Sequence, residues 1–207
     1  MFENLNWGVV LGTVAGAMQI AGYLLYLQQM LKGSSKPNAV SWTLWFFMII
    51  LNAASYFQMS GDWVKTILPA VSSLMIVVIY SVLVFKIGVR LSKLSAIEWT
   101  VLIIGTLACL AWWMFKSAAF GNLIFQFAFA LSFAPTIKGV WNHPGVEKPG
   151  AWIVFSAAYF FSLLVVAARW QNHLQDLVFP LNAFFLHCMV AVLSLRKIFA
   201  NHSVRFQ

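Results

Sequence analysis

The chain has 207 residues, of which 62% are hydrophobic and only 9% charged, and its mean hydropathy is +0.85. A water-soluble domain carries roughly 25% charged residues, so this composition excludes a soluble globule and requires lipid around most of the surface. The net charge of +8 is spread over short basic segments between apolar runs. No basic, aromatic-interleaved soluble stretch exists to hold a nucleic acid.

A transmembrane helix needs about 20 mainly apolar residues, and seven runs qualify: 7–31, 39–58, 64–85, 98–115, 120–140, 151–168 and 174–198. The first is too long for a signal-peptide core of about 7–15 residues and is preceded only by Glu3, so it reads as a permanent helix. It carries Gly12-x-x-x-Gly16, a small-residue stripe that packs helices within a chain or between copies in a homo-oligomer, and a polar Gln19 at depth. Lys32 and Lys36 end it. The second run holds Trp42, Trp45, Asn52 and Tyr56, and Asp62 and Lys65 mark its boundary with the third, which holds Pro69 and Ser72. Lys86, Arg90 and Lys93 precede the fourth run. Asn122, Gln126 and Pro135 fall in the fifth, and the longest loop, 138–150, follows it. The sixth opens with Trp152, and the seventh contains Asp176 near one end, then Pro180, Asn182 and His187.

In lipid every backbone donor and acceptor must be satisfied within its own segment, which makes these runs helices. A barrel would need alternating apolar and polar residues, and 74–84 has no such alternation. Seven spans place Lys32, Lys36, Lys86, Arg90, Lys93, Lys138, Lys148, Arg196, Lys197 and Arg205 on one side, against Lys65, Lys116 and Arg169 on the other. The excess belongs in the cytoplasm. The chain is therefore expected in the cell (inner) membrane, N-terminus outside and C-terminus cytoplasmic. Trp42, Trp45, Trp63, Trp112, Trp113, Trp152 and Trp170 lie near predicted helix ends and read as interfacial anchors. Cys109 and Cys188 lie in apolar runs and read as small packing residues.

The two halves repeat. Gln19 and Gln126 are 107 residues apart, Trp42 and Trp152 are 110 apart, and Pro69 and Pro180 are 111 apart, as are Lys86-Ile87 and Lys197-Ile198. Three helices per unit leave one span over, and an odd linker lets both units point the same way across the membrane. The expected fold is an all-α integral membrane protein with seven transmembrane helices arranged 3+1+3. Residues 1–97 form the first three-helix unit with its following loop, 98–116 the linker helix, and 117–207 the second unit.

At the ends of the first and fifth runs stand Gln28-Gln29-Met30 and Pro135-Thr136-Ile137. Each resembles the motif of the PQ-loop superfamily with one residue replaced, and the whole plan is similar to the SWEET-type seven-helix transporters, whose repeats are parallel. The resemblance implies a cavity between the units with alternating access around it. It also implies an Asn in the third helix and a Trp in the second helix of each unit. Asn182 fits the first requirement; Val71, flanked by Ser72, is its counterpart, and the Trp positions fall near Tyr56 and Val166.

Polar groups at membrane depth face protein or a cavity. Asn182, Asn52, Tyr56, Gln19, Gln126 and Ser72 are therefore the candidate substrate-binding residues. Pro69, Pro135 and Pro180 each remove a backbone donor and are candidate hinges. No acidic or basic residue lies at the centre of a span and His187 stands alone, which argues for passive movement rather than proton-driven export. Lys197 is too near the helix end for a retinal Schiff base, paired histidines for a haem are lacking, and no nucleophile–base or metal motif is present. The expectation is thus no enzyme, no cofactor and no metal. The expected function is facilitated transport of a small neutral solute such as a sugar. The alternative is a non-transporting receptor or adaptor of PQ-loop type that captures a partner on the 138–150 loop.

Overall fold

The computed structural model describes residues 6–88 and 96–203. Arg90, Lys93 and Arg205 lie outside these, as do the side chains of Glu98, Cys109 and Trp112. Among the described residues there are eight helices and no strand: α1 (Trp7–Leu31), α2 (Ala39–Ser60), α3 (Trp63–Phe85), α4 (Ala96–Phe115), α5 (Ala118–Ser132), α6 (Ala134–Asn142), α7 (Pro149–Ala168) and α8 (Gln175–Ser203). With α5 and α6 taken as one run, six helices are long and apolar enough to cross a membrane. That is six where the sequence predicts seven. The remaining predicted span, 98–115, falls on the 20-residue helix α4.

Side chains at the helix starts explain where the apolar runs become helical. Asn38 accepts from the Val40 and Ser41 amides, Asp62 from Val64 and Lys65, and Ser117 from Phe120. Each satisfies amides that have no partner inside the first turn. Gly61, at φ 63°, ends α2 in the left-handed region, which lets α3 begin two residues later.

Proline sets the internal breaks. The fifth predicted run is interrupted at Phe133, because Pro135 has no amide to continue the ladder. Residues 138–142, assigned to a loop from the sequence, continue helix α6, so the connection to α7 is only 143–148. Pro69 and Pro180 sit inside α3 and α8. Pro180 cannot donate to Asp176 O, and the Tyr56 hydroxyl donates to that carbonyl at 2.7 Å instead.

Helix α3 packs on both α1 and α2, and α8 packs on α7, α5 and α6. Across the middle of the molecule α1 runs against α7 and α2 against α5, while α4 lies on α5 and α2. Close approach of α1 depends on its glycines. A Cβ at Gly16 would sit 2.9 Å from Ile67 Cγ2 of α3, and one at Gly22 would sit 2.6 Å from the Phe155 ring of α7. The Gly12/Gly16 stripe is therefore occupied within the chain by α3, not left free for a second copy. Leu24, Leu74 and Phe85 point outward, as lipid contact requires.

Candidate functional site

Where the α1/α2 side meets the α7/α8 side, aromatic rings converge. Trp42, Trp45, Phe133, Trp152, Phe155 and Tyr159 are among the residues that wall a cavity of about 20 Å³, together with Tyr23, Ile49, Ile76 and His187. That is room for roughly one water molecule. Trp42, Trp45 and Trp152 are 2%, 4% and 1% exposed, which corrects their assignment as interfacial anchors. Trp63, Trp113 and Trp170 are exposed as an interfacial position requires. Distance along the helix from its end does not distinguish a Trp facing lipid headgroups from one facing a neighbouring helix.

His187 enters the cavity from α8. Its Nδ1 lies 2.7 Å from Ala183 O, so a proton on Nδ1 leaves Nε2 as an acceptor. The rings of Tyr159, Phe133, Phe155 and Trp152 pack around it at centroid distances of 4.8–5.6 Å. The walls of the cavity are apolar and aromatic, with His187 among them.

None of the six residues predicted to bind substrate belongs to the wall of this cavity. Three of them join in one amide network instead. Asn52 Oδ1 accepts from Asn122 Nδ2 at 3.0 Å and from Gln126 Nε2 at 2.7 Å, and Asn182 Nδ2 donates to Gln126 O at 2.9 Å. Asn122 Nδ2 also reaches Ser55 Oγ at 2.9 Å. These contacts tie α2, α5 and α8 together and leave the amides mutually paired. Gln19 Nε2 donates to Ser72 Oγ at 2.9 Å, a separate bridge from α1 to α3. Tyr56 lies apart from both, at the Asp176 carbonyl.

Both ends of the interface are fastened. At the end formed by 61–62 and 169–174, Lys65 Nζ meets Asp176 Oδ2 at 2.6 Å with both side chains essentially unexposed, and Arg169 Nε meets Asp62 Oδ2 at 2.6 Å. Gln171 Oε1 accepts a second bond from Lys65 Nζ at 3.2 Å. Burial works against the Asp62 charge, but the Arg169 guanidinium and the Val64 and Lys65 amides outweigh it and hold its carboxyl below the usual range. Lys65 and Arg169, two of the three basic residues that the sequence reading sets apart from the others, are thus neutralised by acids.

At the opposite end the 143–148 segment folds back between the helices. Lys36 N–H donates to Val146 O at 2.7 Å, and Lys148 N–H donates to Ser35 Oγ at 3.0 Å. Glu147, in the stretch that the sequence assigns to a loop, is 2% exposed. Tyr26 OH donates to its Oε1 at 2.9 Å and Trp152 Nε1 to its Oε2 at 3.3 Å, and Trp42 Nε1 donates to Tyr26 Oη at 3.2 Å. Burial raises the Glu147 carboxyl to about 7, the hydrogen bonds from Tyr26 and Trp152 only partly opposing it. A second cavity of about 310 Å³ lies against this cluster, lined by Lys36, Asn38, Pro135, Thr136 and Glu147 among others. Sequence reasoning missed Glu147. The available signal was its being the one acid among the basic residues and His143 of that segment.

The potential metal ligands do not gather: among the described residues no three of His, Cys, Asp and Glu come together. Comparison of the chain with family models, curated proteins and solved structures finds no match.

Proposed function

We propose that this chain is a membrane transporter that moves a small neutral solute by facilitated alternating access. In this reading α1–α3 form one unit, α5–α8 with α5 and α6 as a single span form the other, and α4 is the seventh span that links them. The carrying observation is the aromatic cavity between the two sides, fastened at one end by ion pairs and at the other by the Glu147 cluster. A carrier caught between its two open states needs that arrangement: a central site, and a separable contact above and below it.

The repeat supports the reading. Cavity residues pair at the offsets found in the sequence: Trp42 with Trp152, Trp45 with Phe155 and Ile49 with Tyr159 at 110, and Ile76 with His187 at 111. Each unit also carries one polar bridge from its first helix to its third, Gln19 to Ser72 and Gln126 to Asn182. In both units the third helix packs against the other two, and the second helices begin 110 residues apart, at Ala39 and Pro149. The basic bias puts the 143–148 end in the cytoplasm. Pro69 and Pro180 serve as matched hinges, and the break at Pro135 as a third.

The solute class follows from the walls. Rings, a neutral acceptor and no fixed charge favour an uncharged molecule with at least one apolar face, and disfavour an ion. The test is uptake of labelled sugars, neutral amino acids and nucleosides into proteoliposomes. Saturable downhill flux is expected, abolished by Ile49→Phe, which fills the cavity, and weakened less by Asn182→Ala, which lies in the amide network. Absence of flux for all three classes, or flux indifferent to Ile49→Phe, refutes a carrier with its site in this cavity.

A further inference from the structure

We propose that Glu147 is a proton-binding site, and that its occupancy determines whether the 143–148 end of the interface is closed or open. The inference rests on the reading that the two units part at this end.

Glu147 belongs to the second unit by sequence, but one of its hydrogen-bond donors, Tyr26, belongs to the first. Trp42, also of the first unit, is the donor to Tyr26. Two backbone amides beside it donate across the same boundary, Lys36 N–H to Val146 O and Lys148 N–H to Ser35 Oγ. Parting the units here breaks the Tyr26–Glu147 bond and both of these amide bonds at once and exposes the carboxyl to water. Trp42 and Trp152, which hold the cluster, are also walls of the central cavity, so the cluster is the lid over that cavity on this side.

Charge decides which protonation state the closed lid prefers. Among the described residues Glu147 has no ion-pair partner. The charged and titratable groups on the elements at this end are Tyr26 on α1, Lys32 and Lys36 on the following segment, Lys138 and His143 at the end of α6, and Lys148 at the start of α7. From α8 come His187, Arg196 and Lys197, the last of which reaches over Gly145. An ionised carboxylate that is 2% exposed and unpaired costs several kcal/mol, whereas the neutral acid does not carry that cost. The 310 Å³ cavity that reaches Glu147 connects it to water at this end. The proton therefore comes from the water on this side, binds one carboxylate oxygen as the lid closes, and returns to the same water when it opens. It gates movement on that side and does not drive it.

The sign follows. The closed state has the higher affinity for the proton, so closure is favoured at low pH and opening at high pH. A carboxyl with a value of 4.5 when hydrated and about 7 when closed makes the opening constant rise about tenfold per pH unit between those values and level off above them.

The measurement is hydrogen exchange with mass spectrometry on the full chain in nanodiscs, read on segments 33–38 and 145–150 and divided by the chemical exchange rate at each pH. Between pH 5 and pH 8 the corrected rate is expected to rise roughly 70-fold, while segment 57–61 at the other end stays flat. Glu147→Gln, which keeps the shape and cannot ionise, is expected to hold the low-pH rate throughout, and His143→Asn to keep the full slope. A flat wild-type profile overturns the proposal without reference to any variant. So does a slope that survives in Glu147→Gln, or one that disappears in His143→Asn. Because exchange is read without solute, a protein that shows the slope but no flux loses the transport reading alone, and a transporting protein with no slope loses the proton site alone.

Discussion

Replacing Lys65 with Met leaves Asp176 as a lone carboxylate in the interior. The pair is 2.6 Å apart with side chains 0% and 1% exposed, and Asp176 Oδ1 has no hydrogen-bond partner. Removing one member of a buried pair costs about 3–5 kcal/mol, because the survivor is left uncompensated. Replacing both members with apolar groups of similar volume is often neutral or stabilising. The expected order is therefore wild type close to the double variant Lys65→Met/Asp176→Leu, with Lys65→Met well below both. At ~2–4 °C per kcal/mol for a chain of this size, the single variant loses about 6–20 °C in a thermal scan. Reversible unfolding in mixed micelles supplies the free energies for a double-mutant cycle. A loss below about 1 kcal/mol in Lys65→Met, or a double variant as unstable as the sum of the single variants, refutes an uncompensated buried charge as the cause. The same experiment also tests the end contact as a fastening. In the transport reading the double variant opens this end more readily, and flux rises or loses its saturation.

Two further outcomes follow. The Asp62 carboxyl lies below its usual range, so the stability from its pair with Arg169 is present above that range and is lost as pH falls through the lowered value; melting between pH 3 and pH 7 should show an acid limb that is flatter in Asp62→Asn, and an unchanged limb refutes the assignment. Tyr56→Phe strands the Asp176 carbonyl that Pro180 cannot satisfy, at a cost of about 1–3 kcal/mol, and the cost should shrink in a Pro180→Ala background, where a helical amide takes over; equal costs in both backgrounds count against the account.

Much of the membrane architecture is legible because it depends on quantities that are local in the chain. A run of about 20 apolar residues must become a helix in lipid whatever surrounds it, and α1 begins and ends where the run does. Proline at 135 announces a break because the missing amide is a property of the residue itself. The polar residues at depth were also legible as a set, since Asn52, Gln126 and Asn182 must each find a partner away from water. Their partners were not, because an amide serves equally well as a bridge between helices or as a ligand contact. Here they chose one another.

From composition and residue order alone the chain reads as a multi-helix membrane protein whose apolar runs alternate with short basic segments and whose two halves carry matching residues at near-constant spacing. Packing of the helices against one another is what turns Trp42, Trp45 and Trp152 inward around a cavity, pairs Asp62, Lys65, Arg169 and Asp176 across the interface, and buries Glu147 beside Tyr26. The reason is rotational. Apolar composition makes a residue run helical, but lipid and protein interior are equally apolar, so hydropathy does not say which face of each helix turns toward its neighbours. That is settled by close packing at glycines such as Gly16 and Gly22, and by polar pairs between residues more than 50 positions apart in the chain.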